Sequence, residues 1–280
     1  MADWNKNGGN AVIHHVLPRK SSFLRKAAGE KHEEQVVAAN IDTVFLCMSL
    51  NNDFNLRRLE RYVSIAWNSG AVPIVVLTKA DLCSNLEHKL FEVSSVAESV
   101  DVLVTNTINQ DGYEEIYSYL TEGKTIAFIG SSGVGKSTLI NCLLGEKHLD
   151  TNGLRNDDKG RHTTTHRELI LLPSGGMVID TPGMRELGMW DAANGIDQTF
   201  ADIEMLAQKC RFRDCTHSGN ETGCAVQEAV EHGELPIERL RSWQKLMNEN
   251  RYAEDTQGYL AEKKQKFKNI AKINKKNRKG

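Results

Sequence analysis

The sequence predicts an α/β fold, a parallel sheet covered on both faces by helices and followed by a small helical unit. Three observations carry this. Apolar runs rich in β-branched residues alternate with segments whose apolar residues fall at helical spacing. A glycine-rich stretch, GSSGVGKS at Gly130–Ser137, stands between one such run and one such helix. Beyond Gly183 the alternation stops and gives way to a polar stretch holding three of the six cysteines. Strands that are apolar along their whole length are buried on both faces, as in a parallel sheet between helical layers.

Taken in order, residues 1–40 contain AVIHHVLPRKSSFLRKA, one strand and a basic segment, too short for an independent domain. IDTVFLCMSL (Ile41–Leu50) is a strand, and Leu56, Leu59, Val63 and Ala66 mark a helix after it. The pattern repeats with AVPIVVLT (Ala71–Thr78), a helix around Asn85–Ser95, VDVLVT (Val100–Thr105), a helix after Asp111, and KTIAFIG (Lys124–Gly130). A helix from Lys136, a polar loop from Asp150 to Thr165, a strand near His166–Leu172 and GGMVID (Gly175–Asp180) complete the unit. The pattern changes near 190–197, and Ile237, Leu240, Trp243 and Met247 mark a later amphipathic helix. The expected division is 1–40, 41–194, 195–262 and a basic tail at 263–280.

Composition excludes more than it names. The chain has 280 residues with 40% hydrophobic content, enough for a core without disulfides. No apolar run approaches the ~20 residues of a membrane span, and the first ten residues lack a secretory pattern, so a cytoplasmic protein with no membrane association is expected. From Lys263 to Gly280 there are nine Lys or Arg and no acid; without them 26 basic face 37 acidic side chains, a net charge of −11. An acidic body with a basic end suggests a polyanionic partner, and a solubilising end is the alternative.

GSSGVGKS fits the pattern G-x-x-x-x-G-K-[ST] in its required strand–loop–helix setting. Gly130, Ser131, Ser132, Gly133, Val134 and Gly135 supply backbone N–H groups to cradle phosphates, Lys136 reaches the β- and γ-phosphates, Ser137 ligates Mg²⁺ and Thr138 follows at the helix start. Two other short motifs choose among nucleotides. TKAD (Thr78, Lys79, Ala80, Asp81) follows a strand, so that Asp81 can accept both N1–H and N2–H of guanine, a pair adenine does not offer, while Lys79 packs over the base. DTPG (Asp180–Gly183) ends another strand, placing Asp180 near Mg²⁺ and the Gly183 N–H near the γ-phosphate. Each string alone is weak; three at strand ends in one sheet point to a guanine nucleotide.

Their order is TKAD, then Thr105-Asn106 as a loop backing the base, then GSSGVGKS, GRHTTT (Gly160–Thr165) and DTPG. GTPases usually begin with the P-loop and end with the guanine motif, so this is a circularly permuted order. With GRHTTT, the upstream LPRKSSFLRKAAGEKHEEQVVAANID (Leu17–Asp42) and CRFRDCTH (Cys210–His217), the chain resembles the small-ribosomal-subunit-dependent GTPase A (RsgA/YjeQ) family over nearly its whole length. The resemblance implies a P-loop GTPase sheet with permuted motifs, a small carboxy-terminal zinc-binding domain and the remnant of an amino-terminal OB-fold, which forty residues cannot close. It also implies a GTP hydrolase acting as a monomer on the small ribosomal subunit and its rRNA, with hydrolysis coupled to release. A permuted GTPase of the large subunit, and a nucleotide-gated RNA-binding module with vestigial hydrolysis, are the alternatives.

Cys210, Cys215, His217 and Cys224 give C-x4-C-x-H-x6-C, the closed ligand set of one structural zinc, with a reduced thiol cluster as the plainer reading. The position after DTPG that often holds a water-orienting Gln is Met184, which cannot orient water. His162 in GRHTTT is the candidate to do so, and Thr164 or Thr165 completes the Mg²⁺ shell with Ser137 and Asp180. Arg19, Lys20, Arg25, Lys26 and the basic tail are the expected rRNA contacts.

Overall fold

The computed structural model describes residues 2–4, 11–16, 18–26, 34–106, 112–146, 149, 168–180, 192–219 and 221–277. Its centre is a six-stranded sheet. β5 (Thr43–Ser49), β6 (Val72–Thr78), β7 (Asp101–Val104), β8 (Thr125–Gly130), β9 (Glu168–Leu171) and β10 (Met177–Asp180) lie in the order β7-β6-β5-β8-β10-β9. The first five of these positions are parallel, and β9 runs antiparallel at the edge. The expected parallel sheet is present, with one antiparallel strand added at its edge. The difference lies in the link from β9 to β10, where Leu172 N donates to Gly176 O; so short a turn can only reverse the chain.

Both faces of the sheet are covered, which explains the uninterrupted apolar runs. Val44, Leu46 and Met48 of β5 enter one core, while Phe45 and Cys47 enter the other. The second core is closed by α3 (Tyr113–Tyr117) and α4 (Lys136–Leu144). The first is larger. It takes in α1 (Leu56–Ser69), whose N-cap Asn55 accepts from Arg58 N, then Val93 of α2 (Leu86–Ser94). It continues into α5 (Ala193–Thr199), α6 (Ala201–Ala207), α7 (Ala225–Glu231) and α8 (Ile237–Glu254).

The composition change near 190–197 is therefore not a break in the core. α5 crosses α1 so closely that a Cβ on Gly195 would stand 2.0 Å from Ser64 O, and only glycine fits there. Ser64 Oγ meets Thr199 Oγ1 at 3.0 Å across the same contact. Arg239 of α8 pairs with the fully buried Glu60 of α1 at 3.0 Å and with Asp202 of α6 at 2.6 and 2.8 Å. Burial pushes the Glu60 carboxyl above its usual range in spite of the Arg57 and Arg239 charges beside it. Arg61 and Glu249 add a second bridge between the same helices at 2.6 Å.

Residues 1–40 hold more structure than the single strand expected. β1 (Ala2–Trp4) pairs antiparallel with β2 (Ala11–Ile13), and β3 (Ser22–Lys26) with β4 (Glu34–Ala39). Phe23 and Val37 of the second pair join the larger core, and Ser21 Oγ donates to Ile41 O at 2.6 Å. At the other end α9 (Thr256–Asn277) carries the basic residues from Lys263 to Lys276 on a helix. Among the described residues no helix is long and apolar enough to cross a membrane.

Candidate functional site

Strand connections diverge between β5 and β8, one set of strands running outward from β5 and the other from β8. Ligands of open α/β sheets bind outside the carboxyl ends of the strands at such a point. Register brings the named motifs there: Cys47 lies beside Gly130, Ser49 beside Thr78 and Leu77 beside Val104. A Cβ on Gly130 would lie 2.6 Å from Cys47 O, so the P-loop leaves the sheet in tight contact with β5. Gly135 caps α4, so the loop ends on a helix N-terminus, the end of a helix that favours anions.

Lys136 is buried, and its Nζ donates to Gly130 O and Ser131 O, both at 2.7 Å. Those contacts hold the ammonium against the backbone of the first half of the loop. Ser132 and Gly133 are exposed, Ser137 and Thr138 half-buried, and Val134 packs into the core beneath.

The guanine motif is joined directly to this loop. Thr78 Oγ1 donates to Val134 O at 2.6 Å and Lys79 Nζ to Gly133 O at 2.8 Å. Thr78 is 1% exposed, so its hydroxyl braces the P-loop instead of facing a base. Lys79 adopts a left-handed conformation, φ 58°, which swings the chain outward and leaves Asp81 exposed on the turn Ala80–Leu82. Ala80 N donates to Thr105 O, and Thr105 N to Leu77 O at 2.8 Å, fixing the Thr105-Asn106 loop behind the motif. Asp180 ends β10 in the same sheet, whereas His162, Thr164, Thr165, Gly183 and Met184 lie outside the described residues.

One wall of the crevice was not anticipated. The loop after β5 brings Asp53 Oδ2 within 2.5 Å of Ser131 Oγ, and Arg58 of α1 pairs with the same carboxylate at 2.9 Å. Seventy-eight residues separate the partners, and no spacing pattern links them.

The Cys/His cluster forms between α6 and α7. Cys210 Sγ lies 3.9 Å from Cys224 Sγ and 3.7 Å from His217 Nδ1, which is 3.3 Å from Cys224 Sγ. All four ligand atoms, Cys215 Sγ included, lie within 4.8 Å of one another. Tetrahedral zinc at the usual bond lengths needs ligand–ligand separations of about 3.4–3.8 Å, so the set fits a metal ion. Burial raises the Cys210 thiol, but the N–H groups of Val226 and Ala225 at the start of α7 outweigh it and bring it below its usual value.

Side chains outside the ligand set hold the loop. The Glu221 carboxylate accepts from Cys215 Sγ at 2.9 Å, from Thr216 N and Oγ1, and from His217 N. These donors hold Glu221 down at about 2, and the carboxylate in turn drives the Cys215 thiol up to about 12. His217, at φ 52°, has its carbonyl held by Gln227 Nε2 at 2.5 Å and Gln244 Nε2 at 3.0 Å, and its ring lies 5.6 Å from that of Trp243. Sequence reading missed both glutamines, which stand ten and 27 residues from His217.

A family model described as RsgA GTPase matches residues 16–190, which span the hairpin β3–β4, the whole sheet and every nucleotide motif. The chain belongs to the RsgA GTPase family. It is thus a GTPase with permuted motifs. A relative named small ribosomal subunit biogenesis GTPase RsgA 2, from Lactiplantibacillus plantarum, is 52% identical over 257 residues, covering 90% of this chain and 72% of that protein. The protein of the same name from Vibrio vulnificus is 46% identical over 274 residues, 98% of this chain and 77% of that one. Among solved structures, YjeQ from Thermotoga maritima has a TM-score of 0.61 at 28% identity, covering 85% of this chain and 78% of that one. YloQ, described as a circularly permuted GTPase, has a TM-score of 0.57 at 28% identity, covering 89% and 77%. An ABC transporter model also matches residues 113–275, a span that contains the P-loop common to both families but omits TKAD.

Proposed function

We propose that this chain hydrolyses GTP to GDP and phosphate on the small ribosomal subunit, during maturation of that subunit in the cytoplasm, and that hydrolysis triggers release. The observation that carries the reading is the hydrogen-bonded union of TKAD with the P-loop through Thr78 and Lys79, which leaves Asp81 as the exposed carboxylate beside the loop. Relatives named for small-subunit biogenesis supply the ribosomal part.

Within this reading each residue has a task. Asp81 accepts two donors from guanine, Lys79 lies over the base, and the loop from Gly130 to Gly135 turns N–H groups toward the phosphates. Lys136 exchanges its two loop carbonyls for phosphate oxygens. Ser137, Asp180 and Thr165, or Thr164 in its place, hold the Mg²⁺ that accompanies GTP and offsets its charge. His162 orients the attacking water, since Met184 cannot. One zinc ion, held by Cys210, Cys215, His217 and Cys224, fixes the loop after α6. Arg19, Lys20, Arg25 and Lys26 with the basic residues after Glu262 give an otherwise acidic chain its contacts to rRNA phosphates.

Multiple-turnover GTP hydrolysis, measured with and without small subunits, tests the proposal. Stimulation by small subunits and by no other ribosomal particle is expected; a rate indifferent to them overturns the ribosomal part. Replacing His162 with Ala should lower the stimulated rate about 100-fold while leaving GTP affinity unchanged, because the side chain acts on water and not on the bound nucleotide.

A further inference from the structure

The loop between β5 and α1 reaches the P-loop, and its central residue, Asp53, is hydrogen-bonded to Ser131 there. We propose that Asp53 is a positioning residue for nucleotide binding: through Ser131 Oγ it holds the first half of the P-loop in its phosphate-binding shape. The inference rests on the guanine-nucleotide reading above.

Asp53 is itself held from several sides. Its N–H donates to Asn51 Oδ1 at 3.0 Å, and the same oxygen accepts from the buried Ser49 Oγ at 2.8 Å, which anchors the turn to the end of β5. Arg58 pairs with Asp53 Oδ2 at 2.9 Å and also donates to Asp53 O, and Arg58 N is bound by the N-cap Asn55. The carboxylate thus reaches Ser131 from a loop fastened both to the sheet and to α1.

Ser131 is clasped twice, its carbonyl by Lys136 Nζ at 2.7 Å and its hydroxyl by Asp53 at 2.5 Å. When Lys136 turns to the phosphates its hold on Ser131 O weakens, and the Asp53 bond remains. A loop ordered in advance loses less entropy on binding, so the gain appears as slower nucleotide loss. Charge complementarity does not explain an aspartate here, because a carboxylate repels polyphosphate; the Arg58 guanidinium offsets that repulsion. Nor is Asp53 simply a favourable charge before α1, since its carboxylate points at a residue of another strand's loop.

The test is stopped-flow dissociation of fluorescent GDP from the full chain. Asp53→Ala and Ser131→Ala should each speed GDP loss about tenfold, the size expected for one hydrogen bond to a charged group, with association nearly unchanged. The double variant should be no faster than either single one, and Ser131→Thr, which keeps the hydroxyl, should recover most of the loss. In Asp53→Ala the change in GTP hydrolysis should fall on KM more than on the turnover number. Additive effects, an unchanged dissociation rate in either alanine variant, or a lowered Tm with no kinetic change would overturn the proposal. If Asp53→Ala fails to fold, Ser131→Ala against Ser131→Thr carries the same comparison. A wild-type chain that binds no GDP overturns the nucleotide reading itself, and that failure shows before any substitution is made.

Discussion

The P-loop rises from β8, a strand whose six residues are all buried between two others. The Cys/His cluster stands instead on a loop between two seven-residue helices, with Cys210 and Cys215 only half-buried. In the first region the sheet sets the shape, and even the basic side chains, Lys79 and Lys136, find loop carbonyls as partners. In the second, shape depends on groups that gather round the cluster: Glu221, Gln227 and Gln244 on the backbone, and the ligands on one another. The nucleotide region is preorganised by tertiary packing, whereas the cluster offers four ligand atoms to an ion whose binding would contribute to folding.

Metal removal is expected to give the largest effect and to separate the two regions most cleanly. Chelation, or Cys224→Ala, should unfold residues around 205–235 at a cost on the order of 5 kcal/mol or more, while the sheet keeps its protection against hydrogen exchange. Elemental analysis should find one zinc per chain before treatment. A sheet that lost protection in step with the cluster would mean that the two regions fold as one unit.

Arg239 joins them, and Arg239→Ala is the next largest change. It leaves Glu60 buried with Arg57 and Ser242 as partners and removes the Arg239 donors from Asp202 and Thr199 O. A loss of about 3 kcal/mol by denaturant titration is expected, with GDP binding and zinc content unchanged in the folded protein. Loss of zinc in that variant would show that α8 acts through Gln244 on His217.

Asp81→Asn tests the nucleotide region by itself. Guanine affinity should fall about 100-fold and xanthine nucleotides should gain, with Tm unaltered because the side chain is exposed. GDP and ADP binding compared by calorimetry gives the baseline; equal affinities in the wild type would remove Asp81 from the site.

The smallest effect concerns the end of the sheet remote from the crevice. Burial raises the Asp42 carboxyl, but Thr125 N–H at 2.9 Å and Lys124 at 3.1 Å outweigh it and hold it below its usual value. A depressed carboxyl stabilises the fold above about pH 4 and loses that contribution as pH falls through its folded-state value. Asp42→Asn should therefore cost less than about 1 kcal/mol at pH 7 and flatten the acid side of the stability curve, measured by melting at pH 3 and pH 7.

The sequence by itself determined the α/β class, the permuted motif order and the ligand set C-x4-C-x-H-x6-C, because each is written in short-range spacing. Period and apolar content report which faces are buried, and a P-loop needs its glycines and lysine at fixed offsets whatever surrounds it. Tertiary structure alone decided that Thr78 braces the P-loop, that β9 runs antiparallel and that residues 1–40 hold two strand pairs, the second of them docked on the main core. It alone joined Arg239 to Glu60, 179 residues apart, and set Asp53 on Ser131. Such contacts depend on which strand ends and helix faces packing brings together. A hydrogen bond between residues distant in the chain leaves no periodicity behind it, and only the folded arrangement, in which buried polar groups must find partners, reveals the pair.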